Sequence, residues 1–209
     1  MSDKTDYLSK TIIALDDFTV EESEAIIQKW KYDVYAFKLN HILYPYVKKN
    51  HRKIFCDYKL FDIPNTMCKV VEHLIDTGAD MVTVHMNNNI KAIESLSKYS
   101  DKIKLLGVTL LTSWDHNDSE FVFKQSIGSV YDRSIWMMEK YGFWGMICSP
   151  KDLLYVNTKT KKLKKICPGI RKENQLNDDQ VRVSTPQKAI DDGADYLVMG
   201  RSFFKKDDV

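Results

Sequence analysis

The chain has 209 residues, a length that one α/β domain can fill, so 1–209 reads as a single domain. Its 31 Lys and Arg against 29 Asp and Glu leave a net charge of +2. That balance is too even for a nucleic-acid surface or a polybasic membrane anchor, and it points to a small-molecule partner. The opening "MSDKTDYLSK" has no apolar core of signal-peptide length, and no later stretch approaches the roughly 18 apolar residues of a membrane span. A soluble, cytoplasmic protein is expected.

In chain order, short apolar and often β-branched runs occur at 11–16 (TIIALD), 34–39 (VYAFKL), 53–59 (KIFCDYK), 81–85 (MVTVH), 104–109 (KLLGVT), 144–148 (WGMIC), 165–168 (KICP) and 196–199 (YLVM). Between them the spacing turns helical, as in "VEESEAIIQKW", "PNTMCKVVEHLIDTG", "NNNIKAIESLSKY", "SVYDRSIWMMEKYG" and "STPQKAIDDGAD". Gly78, Gly142 and Gly193 stand where helix C-termini are expected. Strand and helix alternate eight times, which predicts an α/β fold, a (β/α)8 barrel of the TIM type. The Met-rich "WMMEK" at 136–140 reads as helix core, and the lysine-rich "KTKKLKK" at 159–165 as a solvated face.

Four cysteines form no CxxC pair and five histidines show no HxxxH spacing, so reduced thiols and no protein-bound metal are expected.

Such barrels carry their chemistry at the C-terminal ends of the strands. Here the runs end in Asp16, Lys38, Asp57 with Lys59, His85, and Thr109 leading to Thr112, while Arg171 and Arg201 follow the seventh and eighth. Asp57 and Lys59 are two apart, so on a strand they share a side. Asp62 precedes Ile63-Pro64, and a residue before proline is driven to extended geometry, which puts Asp62 in the loop beyond the strand. An alternating Lys38, Asp57, Lys59, Asp62 array keeps each group ionised through its neighbours. The bland reading of D-x-K-x-x-D is a solvated salt-bridge cluster. "CPGIR" and "MGRSFF" place Gly and then Arg directly after a strand, where barrels bind phosphate; ordinary turns with exposed arginines are the alternative. The polar stretch 172–185 suits a closing loop, with Gln180 as its contact.

These residues resemble the orotidine 5′-phosphate decarboxylase family. The resemblance runs through "ALD" (14–16), "FKLN" (37–40), "DYKLFDIPNT" (57–66), "VTVH" (82–85), "VTLLTS" (108–113), "CSP" (148–150), "PGIR" (168–171), "DDQVRVSTPQKAI" (178–190) and "GADYLVMGRS" (193–202). It implies conversion of OMP to UMP and CO2 without a cofactor, in de novo pyrimidine biosynthesis, by a homodimer. The implied catalytic residues are Lys59, the carbanion stabiliser and proton donor, with Asp57, Asp62 and Lys38; Asp62 would reach across the dimer interface. The implied substrate contacts are Asp16, Ile63, Thr66, Thr112, Arg171, Gln180, Gly200 and Arg201. The chain departs from the pattern by ending after "SFFKKDDV", which leaves little length for a final helix: either the outer wall is open there with Phe203 and Phe204 as partial cover, or the dimer or the point at which this sequence stops accounts for it.

Two alternatives remain open: a magnesium-dependent keto-sugar-phosphate decarboxylase or aldolase with the same D-x-K-x-x-D barrel, and a non-catalytic nucleotide-phosphate-binding barrel. "DIPNT", "LLTS" and "DDQ" favour the pyrimidine nucleotide over the first, and the intact charged array argues against the second.

Overall fold

A computed structural model describes residues 7–47, 52–111, 114, 116–171 and 184–204. Eight parallel strands close into a barrel in chain order: β1 (Thr11–Ala14), β2 (Ala36–Leu39), β3 (Ile54–Leu60), β4 (Met81–His85), β5 (Lys104–Val108), β6 (Gly145–Ile147), β7 (Lys164–Cys167) and β8 (Tyr196–Met199). β1 completes the circle by pairing with β8, Ile12 opposite Val198. Seven helices are described: α1 (Val20–Trp30), α2 (Pro64–Asp76), α3 (Ile90–Leu96), α4 (His116–Phe123), α5 (Ile127–Lys140), α6 (Leu153–Lys159) and α7 (Pro186–Asp191). None is long and apolar enough to cross a membrane.

Local chemistry accounts for the boundaries. Thr19 and Glu22 form a reciprocal capping box at the start of α1. Pro64 opens α2 from an extended Ile63, and Met67, Val71 and Leu74 then recur at helical spacing on its buried face. Gly78, Gly142 and Gly193 all have positive φ, the conformation their places after α2, α5 and α7 call for.

Two expectations about helices need correction, and a third holds. Residues 40–47 after β2 form turns rather than a helix, because the Asn40 side chain accepts the N–H groups of Ile42 and Leu43 and bends the chain there. An additional helix, α4, precedes α5. β8 leads into a single 3-10 turn, Arg201–Phe203, with Phe203 packed on Trp30 at 4.9 Å and Phe204 on Phe18 at 5.2 Å. The partial cover expected of these two phenylalanines is therefore provided against the α1 side of the barrel. Residues 205–209 lie outside the described part.

The strands carry two cores of alternating parity. Ile13, Phe37, Leu39, Ile54, Cys56, Val82 and Val84 belong to the large core shared with the helices, whereas Ile12, Ala36, Phe55, Met81, Leu106, Ile166 and Val198 fill the barrel interior. Two residues further along the interior rows, apolar side chains give way to polar ones. Ala36 is followed by Lys38, Phe55 by Asp57 and Met81 by Thr83, so the barrel is packed below and charged at its C-terminal mouth.

Candidate active site

At that mouth lies a cavity of about 260 Å³, with Ala14, Phe55, Ile147 and Val198 among its apolar lining and Asp16, Lys38, Asp57 and Lys59 on one wall. The four charges form a ladder of alternating sign. Lys38 Nζ lies 2.5 Å from Asp16 Oδ2 and 3.0 Å from Asp57 Oδ2, and Lys59 Nζ lies 2.9 Å from the same Asp57 oxygen. The side chains of Lys38 and Asp57 are only 10 and 14% exposed, whereas Lys59 is 42% exposed and faces the cavity. Burial opposes charge on both inner groups, but their partners outweigh it. Lys38 is held above the usual lysine range by Asp57 and Asp16, and Asp57 below the usual carboxylate range by Lys38 and Lys59.

Asp57 and Lys59 share the mouth as their spacing suggests, although the strand between them is irregular. On β4, Val82 and Val84 are two apart, yet they pair with Cys56 and Leu60, four apart on β3. Lys59 sits in this bulge with φ +47°, a left-handed conformation that costs a lysine about 1–3 kcal/mol. Thr83 holds the distortion in place. Its hydroxyl accepts the Lys59 main-chain N–H at 2.8 Å and donates to Asp57 Oδ1 at 2.9 Å, so both oxygens of that carboxylate are engaged.

His85, at the end of β4, is half-buried, and burial together with the nearby Lys59 charge pushes its imidazole below the usual histidine range. On the opposite wall, Pro168, Gly169, Arg171, Gly200 and Arg201 line the cavity. Arg171 is 9% exposed and its backbone is fixed by the Ile170–Ser184 bridge, while the Arg201 side chain is 65% exposed with its Nε 3.6 Å from Asp17. One wall thus presents two lysines alternating with two carboxylates, and the other presents guanidinium groups on glycine-containing turns.

Comparison with known proteins gives the family of this barrel. The family described as "Orotidine 5'-phosphate decarboxylase / HUMPS family" matches residues 9–209. The chain belongs to that family. A relative from Rhodopseudomonas palustris (strain BisA53), named orotidine 5′-phosphate decarboxylase, is 32% identical over 211 residues, covering 96% of this chain and 90% of the relative. One of the same name from Wolbachia pipientis is 40% identical over 159 residues, 74% of this chain and 70% of the relative. The solved orotidine 5′-phosphate decarboxylase of Lactobacillus acidophilus superposes with a TM-score of 0.76 at 26% identity, covering 92% and 90% of the two chains.

Not every residue that the family resemblance pointed to lies in this cavity. Asp62, Ile63 and Thr66 do not line it. Asp62 is exposed, its Oδ1 accepting the Ile63 N–H at 2.6 Å, and it makes no ion pair with Lys59 among the described residues. Thr112 and Gln180 lie outside the described residues, as does 172–183 of the expected closing loop. The sequence reading missed Thr83 and Asp17, both now in contact with charged mouth residues.

Elsewhere, "KTKKLKK" is less solvated than expected, because Lys165 is buried in β7 and Lys159, Lys162 and Lys164 pair with Asp132, Glu139 and Asp195. Met137 and Met138 are core, but Trp136 is exposed with Lys140 over its ring. All four cysteines are free thiols, and folding brings Cys148 and Cys167 to 3.8 Å.

Proposed function

We propose that this chain decarboxylates orotidine 5′-phosphate to UMP and CO2. The observation that carries the reading is the Asp16, Lys38, Asp57, Lys59 ladder beside a cavity whose other wall is built from Arg171, Gly200 and Arg201.

In this reading the phosphate lies against Arg171, Gly200 and Arg201, with Gln180 closing over it. The ribose meets Asp16 and Lys38, and Thr112 reads the pyrimidine. Breaking the bond from C6 to the carboxylate carbon releases CO2 and leaves the electron pair on a ring carbon that conjugation stabilises poorly. Lys59 offsets that charge as it develops and then gives C6 a proton, which it regains from solvent. Asp57, whose Oδ2 lies 2.9 Å from the Lys59 amine, aims it at that carbon.

A unit charge pair at about 4 Å and an effective dielectric of 20 contributes roughly 4 kcal/mol. Enzymes generally lower barriers by about 8–23 kcal/mol, so one lysine does not suffice. Interactions with the remote phosphate supply the rest by holding C6 against the ladder.

The same reading has the chain working as a homodimer, with Asp62, Ile63 and Thr66 completing the neighbour's site. Support comes from Ile42, Tyr46, Phe61 and Ile63, large apolar side chains exposed on the loops that follow the adjacent strands β2 and β3. A cytoplasmic location fits an enzyme of soluble nucleotides.

The test is to mix the purified chain with orotidine 5′-phosphate and follow the pyrimidine absorbance, with and without EDTA. Turnover in both, lost by roughly a thousandfold or more in Lys59→Ala, is expected. A flat trace with bound nucleotide would mean a binding protein, and loss of turnover in EDTA would mean a metal-dependent enzyme.

A further inference from the structure

Three consecutive asparagines follow β4, and each is occupied differently. Asn87 donates to the Thr109 carbonyl at 3.2 Å and accepts from Arg133 at 2.6 Å. Asn89 caps α3 by accepting the Ala92 N–H at 2.9 Å. Asn88 turns the other way. Its Oδ1 accepts the Asn89 N–H at 2.7 Å, which orients the amide so that Nδ2 donates to the main-chain carbonyl of Asp62 at 2.8 Å, with Met67 Sδ at 3.0 Å.

The segment so held is short. Phe61, Asp62 and Ile63 are all that separate the end of β3 from Pro64 at the start of α2, and all three are exposed. Phe61 rests edge-on against His85 at 5.7 Å, a contact without fine directionality. The hydrogen bond from Asn88 is directional and acts on the peptide unit that carries the Asp62 side chain. Fixing that carbonyl fixes the peptide plane between Asp62 and Ile63, and with it the direction in which the carboxylate leaves the loop.

We propose that Asn88 is a positioning residue for Asp62: it sets the angle at which that carboxylate is presented to the neighbouring subunit's site. The inference rests on the reading of Asp62 given above and extends it to a residue that touches no reacting atom. A fold anchor would affect stability and ligand binding together. A positioning residue affects turnover, and only while Asp62 is present to be positioned.

The experiment is a double-mutant cycle on the full chain with orotidine 5′-phosphate, using Asn88→Ala and Asp62→Ala, together with UMP binding by calorimetry and thermal unfolding of each variant. Asn88→Ala is expected to lower kcat about ten- to a hundredfold with UMP affinity changed less than about twofold. In the Asp62→Ala background the same substitution is expected to change kcat by less than about twofold. Asn88→Asp, which keeps the acceptor and loses the donor, is expected to fall with Asn88→Ala. Equal losses from Asn88→Ala in both backgrounds, or a loss matched by weaker UMP binding or lower unfolding temperature, would overturn the proposal, as would full activity of Asn88→Ala beside an impaired Asp62→Ala. Full activity of Asp62→Ala would instead remove the reading of Asp62 itself, and the proposal with it.

Discussion

Thr83 donates its hydroxyl hydrogen to Asp57 Oδ1 while its own hydroxyl oxygen accepts the backbone N–H of Lys59, so one β4 side chain fixes both members of the Asp57–Lys59 pair. Threonine to valine keeps shape and removes both bonds. One oxygen of a buried carboxylate is then left unsatisfied, and the bulge that holds Lys59 at φ +47° loses a tie. Thr83→Val is expected to lower kcat about ten- to a hundredfold, and Thr83→Ser to recover most of it. Wild-type turnover by the valine variant would show that the lysine is held by other means.

Lys38 offers a stability test, because it stands between two carboxylates with little solvent. Lys38→Met leaves Asp16 without its cation and Asp57 with Lys59 alone. Breaking a buried pair by removing one partner commonly costs about 3–5 kcal/mol. A fall towards that size is expected in urea unfolding, with part of it recovered when Asp16→Asn is added. A loss under about 1 kcal/mol would place this ladder among the solvent-screened pairs.

The two inner groups also set a pH dependence of opposite signs. Asp57 titrates below its ordinary value in the folded chain, so its contribution is complete above roughly pH 3.9 and fades as pH falls through the lower folded value. Lys38 titrates above its ordinary value, so its contribution is complete below roughly pH 10.4 and fades as pH rises through the higher folded value. The unfolding temperature should therefore be insensitive to this pair between those limits. Asp57→Asn should flatten the acid limb, and an unchanged acid limb in that variant would assign it to other carboxylates.

The order of strands and the polar residues at their ends were legible because a parallel barrel strand is a short apolar run and its functional end follows by topology. The bulge in β3 was not. Backbone with positive φ usually announces itself through Gly or Asn, and a lysine there carries no such signal. Thr83 was hidden for a different reason: in "MVTVH" it is one more β-branched residue, and only its parity against Asp57 on the neighbouring strand separates it from core. The exposure of Trp136 could have been read from helical phase, since it lies outside the arc that buries Val130, Tyr131, Ser134, Met137 and Met138. The turns after β2 depend on Asn40 bonding forward to two main-chain N–H groups, which a count of apolar spacing does not see.

The phosphate site proposed at Arg201 yields the last prediction. Arg201 is exposed and its Nε rests 3.6 Å from Asp17, a contact that solvent screens and a phosphate dianion can displace. A guanidinium that donates two hydrogen bonds to phosphate contributes about 1.5–3 kcal/mol for each, or roughly two to four powers of ten in kcat/KM. Arg201→Ala is expected to lose that much with orotidine 5′-phosphate. With orotidine, which has no phosphate, the variant and the wild type should be equally slow, because the lost interaction has nothing to act on. Equal losses on both substrates would make Arg201 a structural residue of the mouth, and no loss on either would move the phosphate away from the turn after β8.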